Sequence, residues 1–120
     1  MKTISVQSLH ELYEKGFENE VCLIDVRTPE EYQVEHIPDI ENKPLDRIEE
    51  FRDELEGFET VYIHCKSGGR SGTACERLGL LGLENTVNVE GGILDWKDEG
   101  FETVMGGLFY TLSRWFLMLL

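Results

Sequence analysis

Residues 60–72, TVYIHCKSGGRSG, decide how this chain folds and where its chemistry lies. Residues 61–64 form an apolar run typical of a buried strand, and the run leads directly into Cys65. A loop of five residues follows, and the small residues of 71–81 favour a helix that ends near Gly82. Because ligands bind at the carboxyl ends of strands in open α/β sheets, we expect a functional site at Cys65.

The loop after Cys65 has the composition of an anion-binding turn. Gly68 and Gly69 permit positive φ angles, so backbone N–H groups can turn inward. Together with the N-terminus of the next helix, such N–H groups form a cradle centred on the cysteine sulfur. Lys66 and Arg70 are cations, and residues 60–75 contain no carboxylate, although the chain as a whole is acidic. The sequence thus predicts a cationic pocket around Cys65.

These features predict that Cys65 is a nucleophile. A free thiol has a pKa of about 8.5 and is only a few per cent thiolate at neutral pH. A helix N-terminus favours the thiolate by about 0.3–1 kcal/mol, and inward N–H bonds and nearby cations add to this. We therefore expect a pKa lowered by about one unit or more. The residues predicted to bind an anionic substrate beside it are Lys66, Ser67, Gly68, Gly69, Arg70 and Ser71.

Length and charge exclude several classes of protein. The 120 residues suit one domain. Asp and Glu number 24 against 11 Lys and Arg, and the net charge of −13 argues against a nucleic-acid partner. The histidines and cysteines show no metal-ligand spacing, so we expect neither a metal nor another cofactor.

The cysteines and the N-terminal residues point to the cytosol. Cys22, Cys65 and Cys75 form no CxxC pair, and an odd number of cysteines suits a reducing compartment. Residues 1–16, MKTISVQSLHELYEKG, show neither an uninterrupted apolar segment nor a cleavage site, so we expect no secretory signal. Cys22 and Cys75 are expected to be buried, and a disulfide between Cys75 and Cys65 is the less favoured alternative.

Short apolar runs alternate with helix signatures along the chain. Strands are expected near residues 3–6, 21–24, 40–43, 61–64 and 86–89. The alternation predicts an α/β fold with a mostly parallel sheet covered by helices on both faces.

Capping and periodicity place three of the helices. Ser8 with Glu11 predicts a capping box for the first helix, and Thr28 with Glu31 predicts a second one. Apolar residues at helical spacing predict an amphipathic helix over residues 45–55 with an acidic outer face.

The last sixteen residues, 105–120 (MGGLFYTLSRWFLMLL), are apolar and carry one charge, Arg114. They are too few to cross a bilayer, which takes about 20 residues. Three interpretations stay open: a helix that covers the core, an element that dimerises or swaps, and the cut end of a membrane anchor. We therefore divide the chain into a domain of residues 1–104 and an extension, 105–120, with self-association or membrane contact as its possible roles.

Three motifs together resemble the single-domain rhodaneses, a sulfurtransferase family with a Cys-x-x-Gly-x-Arg loop. Residues 65–70, CKSGGR, match that loop. Residues 23–38, LIDVRTPEEYQVEHIP, resemble the family's first signature, with Asp25 and Arg27 in its Asp-x-Arg positions. Residues 87–101, VNVEGGILDWKDEGF, resemble the closing signature. The resemblance spans about residues 3–104.

The resemblance implies a three-layer sandwich with a five-stranded, mostly parallel sheet flanked by helices. It also implies that Cys65 takes a sulfane sulfur from thiosulfate or another persulfide donor, holds it as a persulfide and passes it to cyanide or a thiol. The implied partners are a small anionic donor and a nucleophilic acceptor, with a protein donor as an alternative. Asp25 and Arg27 are expected to support the loop from beneath.

One segment departs from the family pattern. Where the family often has Gly-His-Ile-Pro-Gly-Ala, residues 35–40 read EHIPDI. Asp39 must then adopt a strained backbone conformation, or the chain must turn differently there. Glu41 and Lys43 interrupt the following strand, which indicates a sheet edge.

Other functions remain as alternatives. A sulfur-relay carrier paired with a cysteine desulfurase would use the same motif. A cysteine-type phosphatase or arsenate reductase is disfavoured, because phosphatases of that type have five residues between Cys and Arg and this chain has four. A non-catalytic binding module of the same family is disfavoured as well, because such modules commonly lack the cysteine.

Overall fold

The computed structural model describes residues 1–106 and contains one five-stranded sheet. The strand order is β1-β5-β4-β2-β3, and every neighbouring pair is parallel. The strands are β1 (Lys2–Ile4), β2 (Val21–Asp25), β3 (Glu41–Asn42), β4 (Thr60–His64) and β5 (Thr86–Val89). The helices are α1 (Val6–Lys15), α2 (Pro29–Val34), α3 (Arg52–Glu56), α4 (Gly69–Leu80) and α5 (Gly92–Asp98), with a 3₁₀ helix at Leu45–Phe51. The expected α/β sheet is confirmed.

Both faces of the sheet are covered, so alternate side chains of each central strand enter different apolar clusters. On β4, Val61 and Ile63 are fully buried in a cluster that includes residues of α4 and the 3₁₀ helix. Tyr62 packs on the opposite cluster, whose members include Leu9 of α1 and Trp96 of α5. The sheet therefore holds the end of β4 between two packed layers.

The first helix starts earlier than the sequence suggested. Its N-cap is Ser5, whose Oγ accepts a hydrogen bond from the backbone N–H of Ser8 at 3.1 Å. The predicted capping box of Ser8 and Glu11 is therefore wrong, because a cap-forming serine one turn upstream takes that role.

The second predicted capping box is confirmed. The Thr28 hydroxyl accepts from the Glu31 N–H, and the Glu31 carboxylate accepts from the Thr28 N–H, each at 3.2 Å. Pro29 occupies the first turn, where its missing N–H costs nothing. The side chain of Glu31 is thus oriented by its own helix.

The expected amphipathic helix over residues 45–55 forms as two helices. Leu45, Ile48 and Phe51 are spaced by three residues, which is the period of the 3₁₀ helix observed there. The step of four from Phe51 to Leu55 fits the α-helical turn that follows. The buried face is as predicted, with Ile48 and Leu55 fully buried, but its winding is tighter.

The segment that departs from the family pattern behaves as a sheet edge. Asp39 has a φ of 64°, the strained alternative that the sequence offered. The strand after it, β3, has two residues and pairs only with β2 in the described sheet.

The described residues end just beyond Val104, whose backbone pairs with that of His36. Within residues 1–106 no helix has the length and apolar character needed to span a bilayer. The predictions for the extension lie, from residue 107 onward, outside the described residues, and the boundary at residue 104 stays a prediction.

Candidate active site

Cys65 follows the last residue of β4 and its side chain enters the base of the next loop. The residue is 1% exposed. Its Sγ accepts a hydrogen bond from the backbone N–H of Gly68 at 3.1 Å and lies 3.4 Å from Ser71 Oγ. The loop therefore closes over the sulfur, as the sequence predicted.

One glycine, rather than two, makes this turn. Gly68 has a φ of 110° and is the N-cap of α4, so its N–H points back to the sulfur. Gly69 was expected to share the positive φ, but it is the first residue of α4 and does not. The helix begins two residues before the predicted start at Ser71, which shortens the loop and brings its N-terminus closer to Cys65.

Helix α5 binds two backbone carbonyls at the start of the loop. The Cys65 carbonyl accepts from the Ile93 N–H at 3.0 Å, and the Lys66 carbonyl accepts from the Leu94 N–H at 3.1 Å. Gly92 permits this contact. A Cβ at that position would lie 2.3 Å from the Cys65 carbonyl oxygen, and its φ of 54° disfavours other residues.

Ser71 and Asn88 form a polar pair behind the loop. The Ser71 hydroxyl donates to Asn88 Oδ1 at 2.5 Å, and Asn88 Nδ2 donates to the Gly68 carbonyl at 3.3 Å. Both residues are buried. Asn88 was not predicted as a site residue, although a polar residue inside an apolar strand is a signal of such a role.

These hydrogen bonds set the ionisation of Cys65. Burial acts to raise the pKa of its thiol, but the Ser71 hydroxyl and the N–H groups of Ser71, Gly68 and Ser67 outweigh burial. The net result is a pKa below the ordinary thiol value, in the predicted direction. Backbone amides and a hydroxyl supply most of the effect that the sequence had assigned partly to cations.

The two predicted cations, Lys66 and Arg70, differ in their ion pairing. Lys66 is exposed, and no ion pair of its side chain is found within residues 1–106. Arg70 makes a bidentate ion pair with Glu31 of α2, with Nη1–Oε1 and Nη2–Oε2 distances of 2.6 and 3.0 Å. Residues 60–75 contain no carboxylate, but Glu31, which is distant in sequence, brings one to Arg70.

Asp25 and Arg27 lie at the end of β2, beside the end of β4. Asp25 is fully buried, and its carboxylate accepts from the Arg27 Nη2 at 2.8 Å and the Arg27 backbone N–H at 2.8 Å. His64 lies between this pair and the loop: its Nδ1 donates to the Cys65 carbonyl at 3.0 Å, whereas its Nε2, 3.5 Å from Asp25 Oδ2, has no hydrogen-bond partner within residues 1–106. Burial lowers the pKa of His64, which favours the neutral ring.

The other two cysteines are also buried, and all three are free thiols. Burial raises the pKa of Cys22 to about 11 and also raises the pKa of Cys75. No cluster of three His, Cys, Asp or Glu side chains suited to a metal occurs within residues 1–106.

Comparison with known proteins places this geometry in a family. The sequence model of the rhodanese-like domain matches residues 5–99. The chain is 36% identical over 85 residues to a sulfurtransferase of Allochromatium vinosum, covering 71% of this chain and 79% of that protein. It is 38% identical over 74 residues to the putative sulfur carrier protein YrkF of Bacillus subtilis, covering 62% of this chain. The chain spans only about half the length of the first curated relatives, and 40% of YrkF.

A solved structure agrees with the sequence comparison. The crystal structure of a rhodanese-related protein from Thermoplasma volcanium superposes with a TM-score of 0.74 at 34% identity, covering 87% of this chain and 98% of that one. The fold, the loop after β4 and the family match lead to the same conclusion: the chain belongs to the rhodanese-like domain family.

Proposed function

We propose that this protein is a sulfurtransferase that carries sulfane sulfur as a persulfide on Cys65. The observation that carries the proposal is the environment of the Cys65 sulfur. N–H and O–H donors face it, while the carbonyls of Cys65 and Lys66 are bound by α5. Such a site stabilises an anionic sulfur, both as the attacking thiolate and as the terminal sulfur of a persulfide.

The reaction has two displacement steps. With thiosulfate as donor, the Cys65 thiolate attacks the outer sulfur, a new S–S bond forms, and sulfite leaves with the electron pair of the broken bond. A second nucleophile, cyanide or a thiolate, then attacks the terminal sulfur, and the Cys65 thiolate leaves. Lys66 and Arg70, with the N–H groups of the loop, are proposed to bind the anionic donor.

The other site residues have supporting roles in this proposal. In the thiolate form the Ser71 hydroxyl, 3.4 Å from the sulfur, donates to it instead of to Asn88 Oδ1, and Gly68 turns an N–H toward it. His64 holds the Cys65 carbonyl through its Nδ1, and the Asp25–Arg27 pair packs beside it at the end of β2. These roles follow from contacts to the loop and not from contacts to a substrate.

Intact-mass measurement after treatment with thiosulfate, or with a small persulfide, tests the proposal. The protein is expected to gain one sulfur atom, and cyanide is expected to remove it. Cys65→Ala is expected to abolish the gain, whereas Cys22→Ser and Cys75→Ser serve as matched controls and retain it. Sulfur loading that persists in Cys65→Ala, or that fails with every donor in the unmodified chain, would refute the proposal.

A sulfur-relay carrier is the second candidate. The name of YrkF, a putative sulfur carrier, favours it, since a carrier and a free enzyme would share the same persulfide chemistry. In a carrier, the donor is a persulfidated protein such as a cysteine desulfurase, and the acidic surface suits a basic partner. Rates with protein and small-molecule donors distinguish the two.

A further inference from the structure

We propose that Glu31 selects the sulfur donor: by pairing with Arg70 it disfavours thiosulfate and directs Cys65 toward organic persulfides. This inference rests on the proposed sulfur transfer at Cys65 and adds to it the class of donor. Glu31 acts through Arg70 and is a positioning residue.

The Glu31 carboxylate occupies the face of Arg70 that would bind an oxyanion. Both carboxylate oxygens are used, at 2.6 and 3.0 Å from the two terminal nitrogens of the guanidinium. A bidentate pair of this kind has the geometry with which arginine binds a sulfonate or a phosphate. Thiosulfate must therefore displace Glu31 or bind without the fork of Arg70.

Glu31 is held in this position from its own side. Its Oε1 also accepts hydrogen bonds from the Thr28 N–H and the Thr28 hydroxyl, both at 3.2 Å. The hydrogen bond from Arg70 lowers the pKa of Glu31 to about 2, so the carboxylate is ionised at neutral pH. The charge of Arg70 is thus balanced by a residue that its capping box keeps in place.

The charge in the site differs between the two classes of donor. Thiosulfate brings two negative charges to the Cys65 thiolate, so three must be stabilised together. An organic persulfide, R–S–SH, brings at most one. In that reaction the thiolate attacks the terminal sulfur, the R–S⁻ thiolate leaves with the electron pair, and the proton stays on the new Cys65 persulfide. With Arg70 neutralised, the loop amides and Lys66 face a smaller charge when the donor is organic.

The surface beside Arg70 also suits an organic group. A groove of about 520 Å³ adjoins the Arg70 side chain, far larger than a thiosulfate ion requires. Apolar residues contribute much of its lining: Val26, Pro29, Pro44 and Leu45. The carbon-bearing part of a persulfide donor, small or protein-borne, fits such a groove.

Glu31→Gln tests the proposal because glutamine retains the capping box while removing the charge. We measure single-turnover loading of Cys65 by mass spectrometry with thiosulfate, with 2-hydroxyethyl persulfide, and with serum albumin persulfidated at its free cysteine. The variant is expected to lower the KM for thiosulfate about tenfold, with less than about a twofold change for the persulfides and for discharge to cyanide. Its thiosulfate rate is also expected to fall more steeply with salt. The two persulfide arms distinguish a small donor from a protein donor.

Glu11→Gln is the matched control. It removes one carboxylate from the exposed surface of α1, outside the groove, and no ion pair of Glu11 is found in the described part of the chain. Thiosulfate loading that is unchanged or weakened in Glu31→Gln, or that Glu11→Gln raises equally, overturns the role of Glu31 while leaving sulfur transfer intact. Absence of loading from all three donors in the unmodified chain overturns the proposed function itself.

Discussion

Cys65 and Cys75 belong to the same apolar cluster, and neither is more than 5% exposed, yet their thiols are shifted in opposite directions. Burial raises the pKa of Cys75, which lies within α4 and receives too little hydrogen bonding to compensate. Burial opposes ionisation of Cys65 as well, but Ser71 and the N–H groups of the loop lower its pKa. Hydrogen-bond donors therefore favour the thiolate of Cys65, whereas burial favours the protonated thiol of Cys75.

The two helices that contact the loop, α4 and α5, account for the different surroundings of Cys65 and Cys75. The loop and the first turn of α4 supply the donors to the sulfur, and α5 binds the carbonyls of Cys65 and Lys66. Cys75 lies in the middle of α4, where the backbone N–H groups are already used within the helix.

Gly92→Ala is expected to have the largest effect on stability and sulfur loading, because it disrupts the loop geometry that distinguishes the environment of Cys65 from that of Cys75. The new Cβ would meet backbone oxygen at 2.3 Å, so α5 must shift and release the loop carbonyls. We expect a loss of about 3 kcal/mol or more in the free energy of unfolding and a loss of sulfur loading of about a hundredfold. Denaturant unfolding and the loading assay measure the two effects.

The control for this substitution is Gly79→Ala. Gly79 lies inside α4, and a Cβ there meets no atom within 4 Å. It is expected to stabilise the protein by about 0.5–1 kcal/mol and leave loading unchanged. Equal stability of Gly92→Ala and the unmodified protein would contradict the role of Gly92.

Alkylation should rank the three thiols by ionisation and not by exposure. Cys22 is the most exposed of them at 7%, but its pKa is about 11. Since Cys65 has the lower pKa, iodoacetamide should modify it at least about tenfold faster than Cys22 at neutral pH, after allowing for the lower nucleophilicity of an acidic thiol. Peptide mass spectrometry gives the three rates. Faster modification of Cys22 than of Cys65 would show that solvent exposure, and not ionisation, determines the alkylation rates.

Ser71→Ala should raise the pKa of the Cys65 thiol part of the way toward that of the Cys75 thiol. The substitution removes the hydroxyl beside the sulfur, raises the pKa of Cys65 and slows its alkylation about three- to tenfold at neutral pH. The pH dependence of alkylation measures the shift. Thr73→Ala, on the same helix, removes a hydroxyl that donates to the Gly69 carbonyl instead and should leave the midpoint unchanged. An unshifted midpoint in Ser71→Ala would remove Ser71 from the set of donors.

The smallest expected effect is the loss of stability at acidic pH when the Glu31 carboxylate of the Glu31–Arg70 ion pair is protonated. Its pKa is lowered from 4.5 to about 2, so the ion pair with Arg70 stabilises the fold above pH 4.5 and this contribution is lost as the pH falls toward 2. The difference in unfolding free energy between the unmodified protein and Glu31→Gln should shrink over that range. In an Arg70→Gln background the same substitution should give a much smaller pH dependence, due to the hydrogen bonds from Thr28, and an undiminished pH dependence would show that Arg70 is not its cause.

The sequence was most informative where local rules and burial agree. The strand that ends at Cys65, the capping box of Thr28 and the sheet edge after Asp39 were all predicted, because each depends on neighbouring residues. The tighter winding over residues 45–51 was missed because the spacing of three was treated as part of an α-helical pattern.

The rest of the site depends on contacts between distant segments. Glu31 reaches Arg70 across the fold, Asn88 supports the loop from a neighbouring strand, and Gly92 meets the Cys65 carbonyl from α5. Each of these residues lies in a recognisable motif or strand, but the sequence did not predict which distant residue it would contact. The charges close to Cys65 in sequence therefore predicted a cationic pocket, whereas the charges close to it in the folded chain include the carboxylate of Glu31.

The most direct test is the titration of the Cys65 thiol, followed by the ultraviolet absorbance of its thiolate in a Cys22→Ser/Cys75→Ser variant. The donors around the sulfur predict a midpoint below that of an ordinary thiol, free cysteine titrated under the same conditions. A midpoint at or above that value would show that burial prevails at Cys65, as it does at Cys75, and would contradict its assignment as the nucleophile.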